Sequence, residues 1–309
     1  RQMSPAKKPL ILEIKGNSLD DGPGIRSVVF FKGCPLACVW CQNPEGKSAQ
    51  AEIAFDASEC VRCDACLKVC SPKALSRQNT YFIDRARCTL CFDCTDVCPS
   101  GALERVGRHM SPEEIIDVVL KDKPFFDTSQ GGVTLSGGEP TLFTDFAGKL
   151  LSGLKKQNIH TLIETCGHFN MEDFRLRLLP YLDMIYFDLK LMDDGLHHRH
   201  TGVGNKRILD NFKELASLTR GSCVTLLPRV PLIPGITDTE DNLQAIASFL
   251  VQTGMRKAML MNYNPLWTAK TAKLGIDAPG SSQNNFTKWM DTDRLNQCRE
   301  IFITAGIAL

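Results

Sequence analysis

Three cysteines, Cys34, Cys38 and Cys41, are spaced C-x3-C-x2-C directly after the apolar run Ser27-Val28-Val29-Phe30-Phe31, which reads as a buried strand. Cysteine thiolates are the usual ligands of iron–sulfur clusters, so three on one tight loop suit three irons of a [4Fe-4S] cube. No fourth cysteine stands near at a matching spacing, which leaves the fourth iron open to a group that is not protein. Three ligands and an open position mark a metal centre that does chemistry, whereas structural sites close their shell. A zinc knuckle is the plain alternative, but zinc prefers four ligands, often with a histidine, and no histidine lies in this loop.

A second group of cysteines forms an internal repeat. Cys60-x2-Cys63-x2-Cys66-x3-Cys70 is followed by Ser71-Pro72, and Cys88-x2-Cys91-x2-Cys94-x3-Cys98 is followed by Pro99. This is the bacterial ferredoxin run written twice, in which the fourth cysteine of each half ligates the other half's cluster. The spacing assigns Cys60, Cys63, Cys66 and Cys98 to one [4Fe-4S] cluster and Cys88, Cys91, Cys94 and Cys70 to a second. Crossed ligation makes the two halves one folding unit, inserted over residues 52–104 between flanking stretches 1–51 and 105–309. Carrying electrons towards the open cluster is its expected role, with a purely structural role as the plainer reading. Cys166, Cys223 and Cys298 stand alone and are read as buried small hydrophobes.

The chain has 309 residues, formal net charge +1 and 43% hydrophobic content, with fourteen cysteines. Near-neutral charge gives no support for a nucleic-acid binder, and no run of apolar residues is long enough for a transmembrane helix. Arg1–Lys8 lacks a signal-type apolar region. We read the first residues as a trimmed end and expect a cytoplasmic protein in a reducing compartment, where metal–sulfur clusters rather than disulfides use the cysteines.

Around these groups the pattern alternates strand and helix. An edge strand is expected over Pro9–Lys15, then the punctuated turn Asp20–Gly24. Ser111-Pro112-Glu113-Glu114 starts a helix that runs through Leu120 and closes over Lys121–Phe126. The strand Gly132–Ser136 ends in Gly137-Gly138-Glu139-Pro140, where two glycines let a ligand approach the backbone. Further strands are expected over His160–Glu164, Met184–Lys190, Val224–Val230 and Lys257–Met261. Helices Phe143–Gln157, Leu209–Leu218 and Glu240–Gln252 separate them, and Thr292–Ile307 closes the chain. Asp188 and Lys190 end a buried strand, and a mutual ion pair is their plain explanation. Recurrent strand–helix units without a long antiparallel stretch predict an α/β fold with a parallel sheet rolled into a barrel, and about 255 residues outside the insertion suit one.

With Asp20-Asp21-Gly22-Pro23-Gly24-Ile25-Arg26 ahead of the cluster strand and Asn43-Pro44-Glu45 after the loop, nearly the whole chain resembles a glycyl radical enzyme activating enzyme of the radical S-adenosylmethionine superfamily. The likeness is to the pyruvate formate-lyase activating enzyme type with a two-cluster insertion. It implies a partial (β/α)6 TIM-like barrel, open on one side to admit a protein loop and carrying an inserted bacterial ferredoxin-like domain. It implies that the open iron chelates S-adenosylmethionine, that one electron cleaves the C5′–S bond, and that the 5′-deoxyadenosyl radical takes a hydrogen from a glycine of a partner enzyme. Three [4Fe-4S] clusters, S-adenosylmethionine and a monovalent cation are the implied cofactors.

The same resemblance implies site residues. Cys34, Cys38 and Cys41 are catalytic. Gly137, Gly138 and Glu139 meet the methionine amino group. Glu164 and Thr165 stand where the family usually carries Asp-Thr near the cofactor and the cation, here one methylene longer. Asp188 and Lys190 match an Asp-x-Lys beside the cofactor. Arg229 is a candidate for the cofactor carboxylate or the partner backbone, a use that suits a planar guanidinium. Asn264 stands where a histidine approaches the adenine, and asparagine also hydrogen-bonds a purine edge. The Asp20–Gly24 turn is expected near the active site. His197, His198 and His200 are expected in a glycine-rich loop ending Thr201-Gly202-Val203-Gly204-Asn205, as a surface for the partner's glycine loop rather than a metal site. The implied partners are a glycyl radical enzyme as protein substrate and a ferredoxin or flavodoxin as electron donor, with the chain a monomer. Two other readings stand beside this one, a radical enzyme acting on a small molecule and a ferredoxin-type electron carrier. A carrier has no use for an open iron.

Overall fold

The computed structural model describes residues 8–276 and 286–309. In chain order, β1 (Leu10–Ser18) and β2 (Arg26–Lys32) lead into the cysteine loop. The insertion follows, with β3 (Glu52–Phe55), α1 (Ala65–Val69), α2 (Asp93–Asp96) and β4 (Leu103–Val106). Then come α3 (Pro112–Val119), α4 (Lys123–Ser129), β5 (Gly132–Gly137), α5 (Thr144–Lys156), β6 (His160–Thr165), α6 (Met171–Arg177) and β7 (Met184–Asp188). The chain continues through α7 (Asp194–Thr201), α8 (Lys206–Thr219), β8 (Thr225–Pro231), α9 (Glu240–Gln252), β9 (Met259–Met261), α10 (Trp267–Lys273) and α11 (Thr292–Thr304).

Among the described residues, one seven-stranded sheet runs β1-β2-β5-β6-β7-β8-β9. β1 is antiparallel to β2 at the edge, and the remaining six strands are parallel. Each parallel strand lies beside its predecessor in this sheet, so the crossovers wind one way and put the helices on one face. Side chains alternate across a strand. Val133 and Leu135 of β5, Ile163 of β6, Ile185 and Phe187 of β7 and Val230 of β8 therefore pack outward into the main core, against Leu150 and Leu154 of α5, Phe212 of α8 and Ile246 of α9. The opposite face is different. Leu162, Tyr186 and Leu227 form a small apolar layer of their own, and one step nearer the C-terminal ends of the strands stand Glu164, Asp188 and Arg229. Those ends are where a parallel α/β sheet collects its functional loops.

Local chemistry accounts for the boundaries. Ser111 caps α3 through a reciprocal box: its hydroxyl accepts from the Glu114 amide at 3.2 Å, and its own amide donates to the Glu114 carboxylate at 2.6 Å. The expected closing turn Lys121–Phe126 is instead a 3-10 turn over Leu120–Asp122 followed by the separate helix α4. Pro124 supplies no amide to continue the preceding helix, so a new one starts around it. β7 ends at Asp188, leaving Lys190 in the following loop. β9 is shorter than expected, and Lys257 forms an isolated bridge to Ala308 near the C-terminus.

Candidate functional site

β2 delivers the chain into the cysteine loop through Gly33, held at φ +116°, a conformation that glycine adopts without strain. The loop closes on its own base: the Gly33 amide donates to Gly46 O at 2.8 Å and the Cys34 amide to Lys47 O at 3.1 Å. Lys47 Nζ donates to Cys38 O at 2.8 Å across the loop. A second support comes from α7. The amides of Ala37 and Val39 donate to Thr201 O at 2.7 Å and His200 O at 3.0 Å, using carbonyls that a helix C-terminus leaves without intrahelical partners.

The histidine stretch is therefore a helix. Asp193 caps its start by accepting from the Leu196 amide at 2.7 Å, and Gly202 ends it in the left-handed region. His197 is buried, and its Nδ1–H donates to Val203 O at 2.7 Å. Burial pushes its pKa down, favouring the neutral ring. The glycines and weak apolar periodicity hid this helix, whose two ends are defined by capping rather than by its interior.

The strand end at Gly137–Glu139 is tied to the same loop. Gly138 donates to Phe31 O at 2.8 Å, and Glu139 donates its amide to Gly33 O at 2.8 Å. A Cβ on Gly138 would collide with the Gly33 carbonyl and sit 2.6 Å from Gly46 O. Here glycine is required by backbone packed on backbone. Glu139 is fully buried. Its Oε1 accepts from the Thr141 amide at 3.2 Å, Thr141 Oγ1 at 2.7 Å and Thr165 Oγ1 at 3.0 Å, and its Oε2 from the Cys166 amide at 2.7 Å. Its carboxylate thus joins the ends of β5 and β6.

The inner-face charges form one chain. Ser136 Oγ donates to Glu164 at 2.6 Å, Arg229 Nη1 to Glu164 at 2.5 Å, Arg229 Nε and Nη2 to Asp188 Oδ1 at 3.0 and 2.9 Å, and Lys190 Nζ to Asp188 Oδ2 at 2.9 Å. The Arg229 guanidinium also lies 5.0 Å from the centroid of the Tyr186 ring. The expected ion pair of Asp188 and Lys190 is present, and Arg229 extends it to Glu164. Burial pushes the Glu164 carboxyl up, with Arg229 opposing it. Burial acts the same way on Asp188, but Arg229 and Lys190 outweigh it and hold that carboxyl below its usual range. Lys190 is raised despite its burial, by Asp188 and then by Cys38 and Cys166, which places it against the cysteine loop. Cys38 is buried, while Cys34 and Cys41 are partly exposed; burial pushes Cys38 up to about 12 and raises Cys41 as well, so metal uptake there releases protons.

An apolar shell surrounds the loop, including Leu36, Trp40, Leu191, Tyr263 and Trp267. Cys166 belongs to it, in the same apolar cluster against which Cys34 packs. Sequence reading treated Cys166 as an isolated buried thiol, and separation along the chain hid this contact. Cys298 is fully buried, whereas Cys223 is exposed, on the Thr219–Val224 turn rather than in a core. Asn264 lies beside the loop's far side: its carbonyl accepts from Gln42 Nε2 at 2.9 Å, and its side-chain oxygen accepts from the Leu266 amide at 2.9 Å. The Asp20–Gly24 turn enters from the other end of the strands. It folds onto the inner face, where Thr134 Oγ1 donates to Asp21 O at 2.8 Å and Gly22 faces Leu162.

In the insertion, Cys60, Cys63, Cys66 and Cys98 line one small cavity, and Cys94 stands near Cys88, Cys70 and Cys91. The repeat extends to the backbone. Arg62 and Asp64 are left-handed at φ +58° each, and their counterparts Leu90 and Phe92 at +55° and +70°. Lys73 and Gly101 match at +51° and +71°. Left-handed turns of this kind point successive amides into one concavity, a common anion and iron–sulfur cradle. The Ala74 amide donates to Cys70 Sγ at 3.2 Å and the Leu103 amide to Cys98 Sγ at 3.4 Å. Among the described residues, no three His, Cys, Asp or Glu side chains converge as a single metal ion would need. No described helix is long and apolar enough to cross a membrane.

Comparison with known proteins agrees with this geometry. The family model described as the Radical SAM superfamily matches residues 28–249. The isethionate sulfite-lyase activating enzyme of Oleidesulfovibrio alaskensis is 39% identical over 276 residues, covering 87% of this chain and 88% of the relative. The choline trimethylamine-lyase activating enzyme of the same organism is 36% identical over 300 residues, covering 94% and 95%. Among solved structures, a radical SAM methyltransferase from Sphaerobacter thermophilus shares the fold, with a TM-score of 0.53 at 13% identity over 96% of this chain and 75% of that one. The chain belongs to the radical SAM superfamily, within its glycyl radical enzyme activating enzymes.

Proposed function

We propose that Cys34, Cys38 and Cys41 hold the open [4Fe-4S] cluster with which this activating enzyme installs a glycyl radical on its partner enzyme. The observation that carries this reading is the meeting of the three-thiol loop with the charged chain Glu164–Arg229–Asp188–Lys190 at the C-terminal mouth of the parallel sheet. When bound, the cluster supplies an open iron position for S-adenosylmethionine and the electron for its reductive cleavage.

The chain's own residues do the rest. Gly137 and Gly138 let the methionine end of the cofactor come close to the end of β5, and Glu139 acts from behind by holding β5, β6 and the cysteine loop in register. Lys190 sets a positive charge against the thiolates. Glu164, Asp188 and Arg229 form a fixed wall beneath the cofactor, with Thr165 locked to Glu139. Glu164 is the carboxylate we assign to a monovalent cation, with Ser136 and Arg229 as its neighbours. Leu36, Trp40, Tyr263 and Trp267 exclude water from the reacting centre. Asn264 stands at the rim for the adenine. The histidine helix α7 presents His198 and His200 beside the loop to the partner's glycine segment.

Cys60, Cys63, Cys66 and Cys98, with Cys88, Cys91, Cys94 and Cys70, are assigned to two further clusters in a ferredoxin-like domain, the relay from a ferredoxin or flavodoxin. The parallel strands make a partial (β/α)6 barrel, and the chain works as a monomer in the cytoplasm.

The test is anaerobic. Protein reconstituted with iron and sulfide, reduced and given S-adenosylmethionine is expected to form 5′-deoxyadenosine and methionine. The Cys34→Ala, Cys38→Ala, Cys41→Ala triple variant is expected to form neither while keeping the iron of the insertion. Wild-type protein with full iron and no cleavage would favour the electron carrier.

A further inference from the structure

We propose that Lys32 is a positioning residue for electron delivery: its buried ammonium pins the insertion to the base of the cysteine loop in a fixed register. This inference rests on the relay role given to the insertion above.

Lysine is rarely buried without a partner, and Lys32 is fully buried at the end of β2, just ahead of Gly33 and Cys34. Side chains alternate across a strand, so it lies on the face of β2 opposite Val29 and Phe31 of the main core. From there it touches three stretches of chain. Nζ donates to Glu45 O at 2.7 Å, beside Gly46, whose carbonyl accepts from the Gly33 amide at the base of the cysteine loop. The same Nζ pairs with Glu52 Oε2 at 2.5 Å, on the first residue of β3, where the chain enters the insertion. The lysine stem meets the exit. Gly107 follows β4 at φ +92°, and a Cβ there would stand 2.8 Å from Lys32 Cδ. Glu52 is paired with Val106 across β3 and β4, so entry and exit are gripped together.

A buried ion pair is a weak source of stability, because apolar residues of similar volume often do as well or better. What it supplies is direction: a short bond to a defined atom fixes both ends, where packed apolar groups can slide. Lys270 and Lys273 of α10 reach Glu45 and Asp56 across the same junction, but they are 46% and 48% exposed, and exposed pairs contribute little. The fixed register therefore falls to Lys32. The relay passes one electron at a time from a reduced flavodoxin or ferredoxin, which is oxidised, to the open cluster, which is reduced. Its rate depends on the separation of donor and acceptor, and this joint sets that separation.

The experiment uses full-length, reconstituted protein and compares wild type, Lys32→Met and the double variant Lys32→Met, Glu52→Leu, which removes both charges so that neither is stranded. Before S-adenosylmethionine is added, amide hydrogen exchange over residues 47–55 is expected to be faster in both variants, with iron content unchanged. Formation of 5′-deoxyadenosine is expected to fall about tenfold when reduced flavodoxin supplies the electrons, as misplaced partners lose rate steeply, and to stay within about twofold of wild type under dithionite. Equal losses under the two reductants would overturn the proposal, by showing that Lys32 supports the cysteine loop itself. Unchanged exchange, or unchanged turnover with flavodoxin, would overturn it too. A Cys63→Ala, Cys91→Ala variant that keeps flavodoxin-driven turnover would instead overturn the relay role on which the inference stands.

Discussion

At the residue scale, Arg229 is the keystone of the inner face. Two carboxylates, Glu164 and Asp188, share its guanidinium, and all three are largely buried. Removing the cation while both carboxylates remain costs about 3–5 kcal/mol, the usual result of stranding a buried charge. Arg229→Leu is expected to lose about that much in urea denaturation at neutral pH. The pH dependence follows from the signs. Asp188 is held low, so its stabilisation is present above the ordinary aspartate pKa and disappears as pH falls through the folded value. Glu164 is held high, so its contribution runs the other way and stability falls as pH rises through the ordinary glutamate range towards the folded value. Without Arg229 both carboxyls move up, and the deficit of Arg229→Leu should shrink as the pH is lowered through the carboxylate range. A deficit independent of pH would show that lost packing, not charge, is the cause.

At the element scale, the contact between the end of β5 and the cysteine loop is backbone against backbone. Gly138→Ala puts a methyl against the carbonyls of Gly33 and Gly46, and overpacking of this kind costs about 1–3 kcal/mol. The damage falls on the geometry of the loop. The expected result is a reconstituted protein with lower iron occupancy at the open site and at least a tenfold loss of S-adenosylmethionine cleavage, read as 5′-deoxyadenosine formed. Far from that loop, Asp183 joins α5 to the start of β6: it accepts from Lys155 Nζ at 2.7 Å and from the Thr161 amide at 2.8 Å. Burial raises its carboxyl, but Lys155 and Thr161 hold it low overall. Its stabilisation is therefore present above the ordinary aspartate pKa and fades below it as pH falls through the folded value. The pair is partly exposed and contributes about 1 kcal/mol or less. A thermal-melt series should show a shallower acid limb in Asp183→Asn, with cleavage activity unaffected.

At the scale of the whole molecule, the described residues join the insertion to the cysteine loop at two places. Lys32, fully buried at the end of β2, donates to Glu45 O at 2.7 Å and pairs with Glu52 of β3 at 2.5 Å. α10 spans the same junction, with Lys270 Nζ 3.0 Å from Glu45, Lys273 Nζ 2.6 Å from Asp56 and the following Gly275 beside Tyr81. These joints suit the proposed relay, which would have to stay docked to deliver electrons. Cys63→Ala with Cys91→Ala removes one thiolate from each assigned cluster. Iron is expected to fall from about twelve to about four per chain, with turnover supported by a flavodoxin or ferredoxin lost and cleavage under a strong chemical reductant retained. Iron that stays near the wild-type content would refute the assignment of these cysteines.

Sequence alone pointed to the cysteine chemistry proposed above, because cluster ligation depends on spacing over a few residues: Cys34, Cys38 and Cys41, and the repeat from Cys60 to Cys98, stand within short loops. It also indicated most of the strand–helix order, since apolar periodicity is local, although α6, α7 and α10 escaped it, and it pointed to Asp188 and Lys190 as charges that need partners. Only the tertiary structure decided which partners those are. Arg229 lies 41 positions from Asp188 and 65 from Glu164, and nothing local encodes their meeting across neighbouring parallel strands. The same holds for Glu139 as a brace between Gly33 and Cys166, for α7 lending its terminal carbonyls to the cysteine loop, and for Cys166 beside Cys34. Each depends on the register of parallel strands, which long crossovers set and which a linear pattern of residues does not record.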